Sequence, residues 1–183
     1  MKIDLSVKIG KLKLKNPMMV ASGTFGYAEE FKDFIDLKSL GAIVTKTITL
    51  RPRKGNPSPR TCETPSGMLN SIGLENPGLD SFIKDKLSFL TKIKVPVIVS
   101  IASEHDPEEF VTLARRLDKI KEVAAIELNI SCPNIKHTQL LTESLPLISQ
   151  DPRASHDLVR RVRRVTRKTL ITKLSPNVTC IPD

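Results

Sequence analysis

Five short runs of apolar, largely β-branched residues recur at 17–21, 42–47, 95–101, 124–130 and 170–174, and each gives way to small or polar residues. Runs this short suit buried strands. The segments between them carry helical spacing. A helix is predicted over 28–37, and a second presents Leu79, Phe82, Ile83, Leu87 and Leu90 on one face. A third opens with Asp106 as N-cap, Pro107 at the first position and acids in the first turn, and is lined by Phe110, Leu113, Ala114, Leu117 and Ile120. A fourth spans 155–168. Val7 and Ile9, then Leu12 and Leu14, alternate around Gly10 and Lys11, which predicts a hairpin ahead of the first core strand. Strands alternating with helices predict a parallel α/β sheet with its site at the strands' C-terminal ends. A doubly wound sheet shares the pattern, but no Gly-x-Gly-x-x-Gly follows the first strand, so a (β/α)₈ barrel is expected.

A chain of 183 residues, 39% hydrophobic and 27% charged, is expected to be one soluble domain spanning 1–183. No apolar run reaches the length of a membrane span, and the N-terminus lacks the apolar core of a signal peptide, so a cytoplasmic protein is expected. Cys62, Cys132 and Cys180 are widely spaced, which points to neither a disulfide framework nor a metal site. Much of the +9 net charge is local: Arg153, Arg160, Arg161, Arg163, Arg164, Arg167, Lys168 and Lys173 face only Asp157 and Asp183. Such a patch could serve nucleic acid or an acidic protein. Leu158, Val162 and Val165 at helical spacing favour the plainer reading of a solvated helix face.

Candidate chemistry collects where strands end. The first strand runs into Ser22, Gly23, Thr24, Phe25 and Gly26, small enough for backbone amides to approach a ligand, and the second ends at Lys46. The proline- and glycine-rich stretch from 50 to 76 is too long for an ordinary connection and reads as a functional loop. Strand 124–130 stops at Ser131, Cys132 and Pro133, which puts a thiol between Asn129 and Asn134. Cys132 is either a reactive group or a small buried hydrophobe.

Six segments in order resemble the N-terminal part of class 1 dihydroorotate dehydrogenases, closest to the class 1B catalytic subunit. They are Asn16-Pro17 with Ala21-Ser-Gly-Thr-Phe-Gly26; Thr45-Lys-Thr47; Gly55-Asn-Pro-Ser-Pro-Arg60; Gly67-Met-Leu-Asn-Ser-Ile-Gly-Leu-Glu-Asn-Pro-Gly78; Asn129-Ile-Ser-Cys-Pro-Asn134; and Lys173-Leu-Ser-Pro-Asn-Val-Thr179. The resemblance implies an FMN-containing (β/α)₈ barrel that oxidises dihydroorotate to orotate in pyrimidine (UMP) biosynthesis. It implies Cys132 as the base that takes the C5 proton while hydride passes from C6 to FMN. It places Asn70, Asn129 and Asn134 on the pyrimidine's amide edges, and the 70–74 segment (Ser71, Ile72, Gly73, Leu74) around the orotate carboxylate through its backbone amides. Lys46 would serve both substrate and flavin, and Ser22, Thr47, Ser100, Asn129 and Lys173 would hold FMN. An FAD and iron–sulfur electron-transfer subunit that reduces NAD is the implied partner, in a homo- or hetero-oligomer.

Two departures from the family pattern stand out. Thr138 and Gln139 replace the usual glycines after His137, in a longer apolar stretch expected to cover the site, and Cys180 stands where Asp is usual. A (β/α)₈ barrel typically needs about 250 residues, so a barrel truncated after its fifth strand is expected, with poor FMN affinity and open edges at the first and fifth strands. Other readings are a tRNA-dihydrouridine-synthase-like FMN enzyme, which the 70–78 segment argues against, and a non-enzymatic basic interaction module.

Overall fold

The computed structural model describes residues 3–103, 106–132 and 147–179. Among these, β1 (Val7–Ile9) pairs antiparallel with β2 (Leu12–Leu14), and Gly10 takes the positive φ the turn needs. β3 (Met19–Val20) and β4 (Ala42–Val44) begin the main sheet. β5 (Thr61–Thr64) and β6 (Gly67–Asn70) form a separate antiparallel hairpin. A helical segment follows in three pieces: α1 (Gly78–Ser81), a π-helical stretch Phe82–Lys86, and α2 (Leu87–Ile93). Then come β7 (Val97–Ile101), α3 (Glu108–Asp118), β8 (Val123–Asn129), α4 (Pro152–Arg163) and β9 (Thr169–Lys173).

The main sheet has order β3-β4-β7-β8-β9, all parallel and in chain order. A doubly wound sheet would reverse direction at a switch point. Here each strand lies beside its predecessor, so right-handed crossovers stack every helix on one face, and the result is a half-barrel.

The two faces of the sheet differ sharply. Outward residues Val97, Val99, Ile101, Ile126, Leu128 and Ile130 pack with Leu87 and Leu90 of α2, Phe110, Leu113 and Leu117 of α3, and Leu158 and Val162 of α4. Inward residues Ala42, Val44, Ile98 and Ala125 form a second, smaller cluster with Leu14 of β2, against which Val7, Ile9, Leu12 and Ile171 also pack. The β1–β2 hairpin therefore plugs the half-barrel at the strands' N-terminal ends. Above the plug, the inward positions turn polar.

Four expectations need correction. Residues 28–37 form no α-helix, only 3₁₀ turns at Glu29–Phe31 and Leu37–Ser39. Ala28 sits at positive φ, and the Glu30 carboxylate accepts from Tyr27 N–H, so the chain turns before a helix can propagate. The 50–76 segment is not purely loop, because it contains the β5–β6 hairpin. The fourth helix begins and ends earlier than expected. Asp151 caps it by accepting from the N–H groups of Arg153 and Ala154, and Pro152 occupies its first position. The second helix carries a π-helical turn that its apolar spacing did not signal. On the basic helix, Leu158 and Val162 are buried and Arg161 pairs with Glu108 on α3. No helix among the described residues is long and apolar enough to cross a membrane.

Asp118 at the end of α3 ties down the turn into β9. Hydrogen bonds from Thr166 Oγ1 (2.6 Å) and Arg167 N–H (2.8 Å) hold its carboxyl below the ordinary value of 3.8. A depressed folded-state value contributes stability above the unfolded value, and that contribution is lost as pH falls through the folded one. The melting temperature of Asp118→Asn should therefore lie below wild type at pH 7. The gap should close as both proteins are taken below about pH 4, which a pH series of thermal melts would measure.

Candidate active site

The C-terminal ends of the strands surround a cavity of about 260 Å³ lined by Ser22, Gly23, Lys46, Thr47, Asn70, Ile72, Gly73, Leu74, Asn129, Ser131, Cys132 and Lys173. Ten of the residues expected at the site meet here. Ser71 and Ser100 do not line the cavity, and Asn134 lies outside the described residues, as does the altered stretch after His137.

The 50–76 segment shapes one wall. The side-chain amide of Asn56 donates to the Ser71 carbonyl (2.6 Å), its backbone N–H donates to the Ile72 carbonyl (3.0 Å), and Arg53 Nε donates to the Gly73 carbonyl (2.7 Å). With three consecutive carbonyls tied to one side, the N–H groups of Ile72, Gly73 and Leu74 donate to none of the described residues. Gly73 and Leu74 both have positive φ. Such successive backbone donors form a concave anion-binding nest. A Cβ on Gly73 would lie 2.9 Å from the Asn56 amide, so glycine is required by space as well as by φ. Sequence reading missed Asn56 and Arg53, because their task is to hold backbone rather than ligand.

The floor is a chain of hydrogen bonds beneath Asn129. Ser131 Oγ donates to Asn129 Oδ1 (3.1 Å), and Asn129 Nδ2 donates to Thr47 Oγ1 (3.0 Å). Thr47 Oγ1 lies 2.9 Å from Ser100 Oγ, which in turn donates to Glu127 Oε1 (2.6 Å). A carboxylate only accepts, so Ser100 spends its single proton there and Thr47 must donate to Ser100. That direction leaves Thr47 accepting from Asn129, which independently fixes which side of the Asn129 amide carries nitrogen. Ser100 thus reaches the cavity through Thr47 rather than by touching it.

Two ammonium groups face the cavity. Lys173 Nζ donates to Ser22 Oγ (3.0 Å) and lies 3.8 Å from Glu127 Oε1. Lys46 is half-buried with no anionic partner among the described residues. Gly23 adds open space, as a Cβ there would meet nothing within 4 Å. Two cations, a nest of amides and the carboxamides suit an anionic ligand with hydrogen-bonding groups, and a free thiol stands beside them. A larger cavity of about 590 Å³ beside Lys11, Arg163, Arg167 and Lys168 lacks such a set. Its Lys168 ammonium is committed to the Ile120 and Val123 carbonyls, and Arg163 to that of Thr166.

The sequence profile of dihydroorotate dehydrogenase matches residues 4–182. The chain belongs to that family. Two curated relatives, each named dihydroorotate dehydrogenase B (NAD(+)), catalytic subunit, are 52% identical to it. The one from Geotalea uraniireducens aligns over 100% of this chain and 57% of its own length. The one from Trichlorobacter lovleyi aligns over 100% and 58%. The chain thus spans rather more than half the length of these relatives. A crystal structure of DHODH in complex with ferulenol, from Eimeria tenella, shares the fold, with a TM-score of 0.72 at 19% identity over 96% of this chain and 53% of that one.

Buried Asn76 connects this wall to the sheet. Its Oδ1 accepts from the N–H groups of Thr49 and Gly78, while its Nδ2 donates to Thr49 Oγ1 and the Leu74 carbonyl. Asn76→Ala would strand buried donors and an acceptor and should cost on the order of 2–3 kcal/mol, measured by urea unfolding. Hydrogen exchange should accelerate most at the amides of Thr49 and Gly78, which lose their acceptor.

Proposed function

We propose that this cavity oxidises dihydroorotate to orotate with FMN as hydride acceptor, as a step of pyrimidine biosynthesis. The observation that carries the reading is the meeting of one free thiol, two ammonium groups and three unpaired backbone amides in a single cavity. Membership of the dihydroorotate dehydrogenase family supports it.

In this reading the N–H groups of Ile72, Gly73 and Leu74, with Lys46, hold the substrate carboxylate, and Ser71 keeps the nest in place through its carbonyl. Asn70 and Asn129 hydrogen-bond the ring's amide edges, joined by Asn134. Cys132, at the end of β8 and packed against the apolar outer core, is the base that receives the C5 proton. Bound flavin supplies a two-electron acceptor for the hydride. Ser22, Lys46, Thr47, Asn129 and Lys173 hold it, and Ser100 backs Thr47. Fixed positive charge at Lys46 and Lys173 favours an electron-rich ring.

The relatives' names, a catalytic subunit linked to NAD(+), support a second subunit that carries electrons away; in this reading it does so by FAD and an iron–sulfur centre, within a homo- or hetero-oligomer. The same reading makes it a cytoplasmic enzyme.

Flavin absorbance of the purified protein and its bleaching by dihydroorotate test the reading. A protein that takes up FMN but is not bleached by dihydroorotate refutes it. Cys132→Ser should keep FMN while slowing bleaching by about 10²–10⁴-fold, the usual range for losing a general base. Lys46→Ala should weaken dihydroorotate binding more than it slows the bound reaction, which the concentration dependence of bleaching reports.

A further inference from the structure

Glu127 is the one acid on the inward face of the central strands, and it is 8% exposed. It is not among the residues that line the cavity. Its Oε1 nevertheless touches both systems that do. It accepts from Ser100 at the bottom of the hydroxyl chain, and it lies 3.8 Å from the Lys173 ammonium, whose own proton goes to Ser22 on the opposite edge of the half-barrel. We propose that Glu127 is a positioning residue: its negative charge holds the Lys173 ammonium over the cavity against Ser22, and its acceptor oxygen sets the direction of the chain that orients Asn129.

A neutral acceptor would satisfy Ser100 equally well, and burying a carboxylate is costly unless the charge is used. The group that uses it is Lys173. The ammonium sits between one carboxylate and one hydroxyl, so loss of either partner frees a long, flexible side chain. The hydroxyl chain follows the same logic. With an ionised acceptor at its foot, every proton from Ser131 to Ser100 points one way. A glutamine at 127 can also donate, so both directions become available and the Asn129 amide loses its fixed orientation.

Variants Glu127→Gln, Lys173→Met and the two combined test this. The first measurement is the melting temperature of the full chain without ligand. Lys173→Met strands a buried carboxylate, so the double variant should melt higher than Lys173→Met alone, even though Glu127→Gln by itself melts lower than wild type. A double variant no more stable than Lys173→Met overturns the pairing, and this holds equally if the single variant fails to fold.

The second measurement is the midpoint potential of the bound flavin, and it rests on the functional reading above. Removing a nearby negative charge by itself would raise the potential. Losing a positioned ammonium lowers it. Glu127→Gln should therefore shift the potential downward, by about tenfold in the ratio of oxidised to reduced flavin, ~30 mV for a two-electron couple. Adding it to Lys173→Met should bring no further fall. An upward shift in Glu127→Gln, the effect of charge removal alone, or no shift at all overturns the positioning role. A wild-type chain that takes up no flavin refutes the functional reading instead, and the melting temperatures then decide the pairing alone.

Discussion

The parallel register of β7, β8 and β9 is the constraint on which the site depends. It sets Ser100 beside Glu127 and Asn129 beside Lys173. Side chains alternate faces along a strand, so a slip of β8 by one residue would turn Glu127 and Asn129 toward the helices and bring Ile126 and Leu128 into the cavity. The phase is set at the start of β8. Val97 pairs with Val123, Ile98 pairs with Ala125, and Ala124 is passed over. That irregularity leaves Val123 in the outer core and Ala125 in the inner cluster, after which Glu127 and Asn129 follow Ala125 inward. A single residue out of step at one end of the strand thus decides which groups meet at the other.

The inner face is graded in polarity. At the N-terminal ends, the β1–β2 hairpin closes the half-barrel with Leu14 against Ala42, Val44, Ile98 and Ala125, a layer that excludes water. Above it come Ser100 and Glu127, then Asn129 and Lys173, in chemistry that would be costly inside that layer and is satisfied here by mutual hydrogen bonds and an ion pair. The 50–76 segment then supplies what the strands cannot, a run of unpaired amides. It does so by anchoring its own carbonyls to Asn56 and Arg53 and its base to Asn76. Sheet and loop meet at Asn76 and Thr49, so the nest is fixed relative to the thiol at the end of β8 by buried bonds rather than by surface contacts.

The five strands were legible because each is a compact apolar run, and the site was legible because polar residues cluster where those runs end. The β5–β6 hairpin escaped notice for the opposite reason. All its residues are exposed, so no buried face imprints an alternation on 61–70, and Met68 and Leu69 lie open among polar neighbours. The 28–37 segment misled because helix spacing says nothing about the backbone turn at Gly26 and Ala28 that precedes it. Asn56 and Arg53 could have been found only by asking which side chains tie down the carbonyls of a glycine-containing loop. That question needs three-dimensional neighbours 15 to 20 residues away.

Glu127 shows what a closer reading of the same residues could have yielded. An acid between Ile126 and Leu128 in a buried strand is expensive, and cost is itself information. As part of an apolar run, it carries no signal. Taken as a period of two beginning after Ala124, the inward set reads Ala125, Glu127, Asn129, a change from apolar to charged to amide along one face. A charge placed there calls for a cation close by on the same face, and the charged position on 170–174 is Lys173, two residues beyond the register partner of Glu127. The pair could thus have been anticipated from alternation alone. What alternation could not supply is Ser22, which comes from the far edge of the sheet and makes the ammonium a bridge across the open half-barrel.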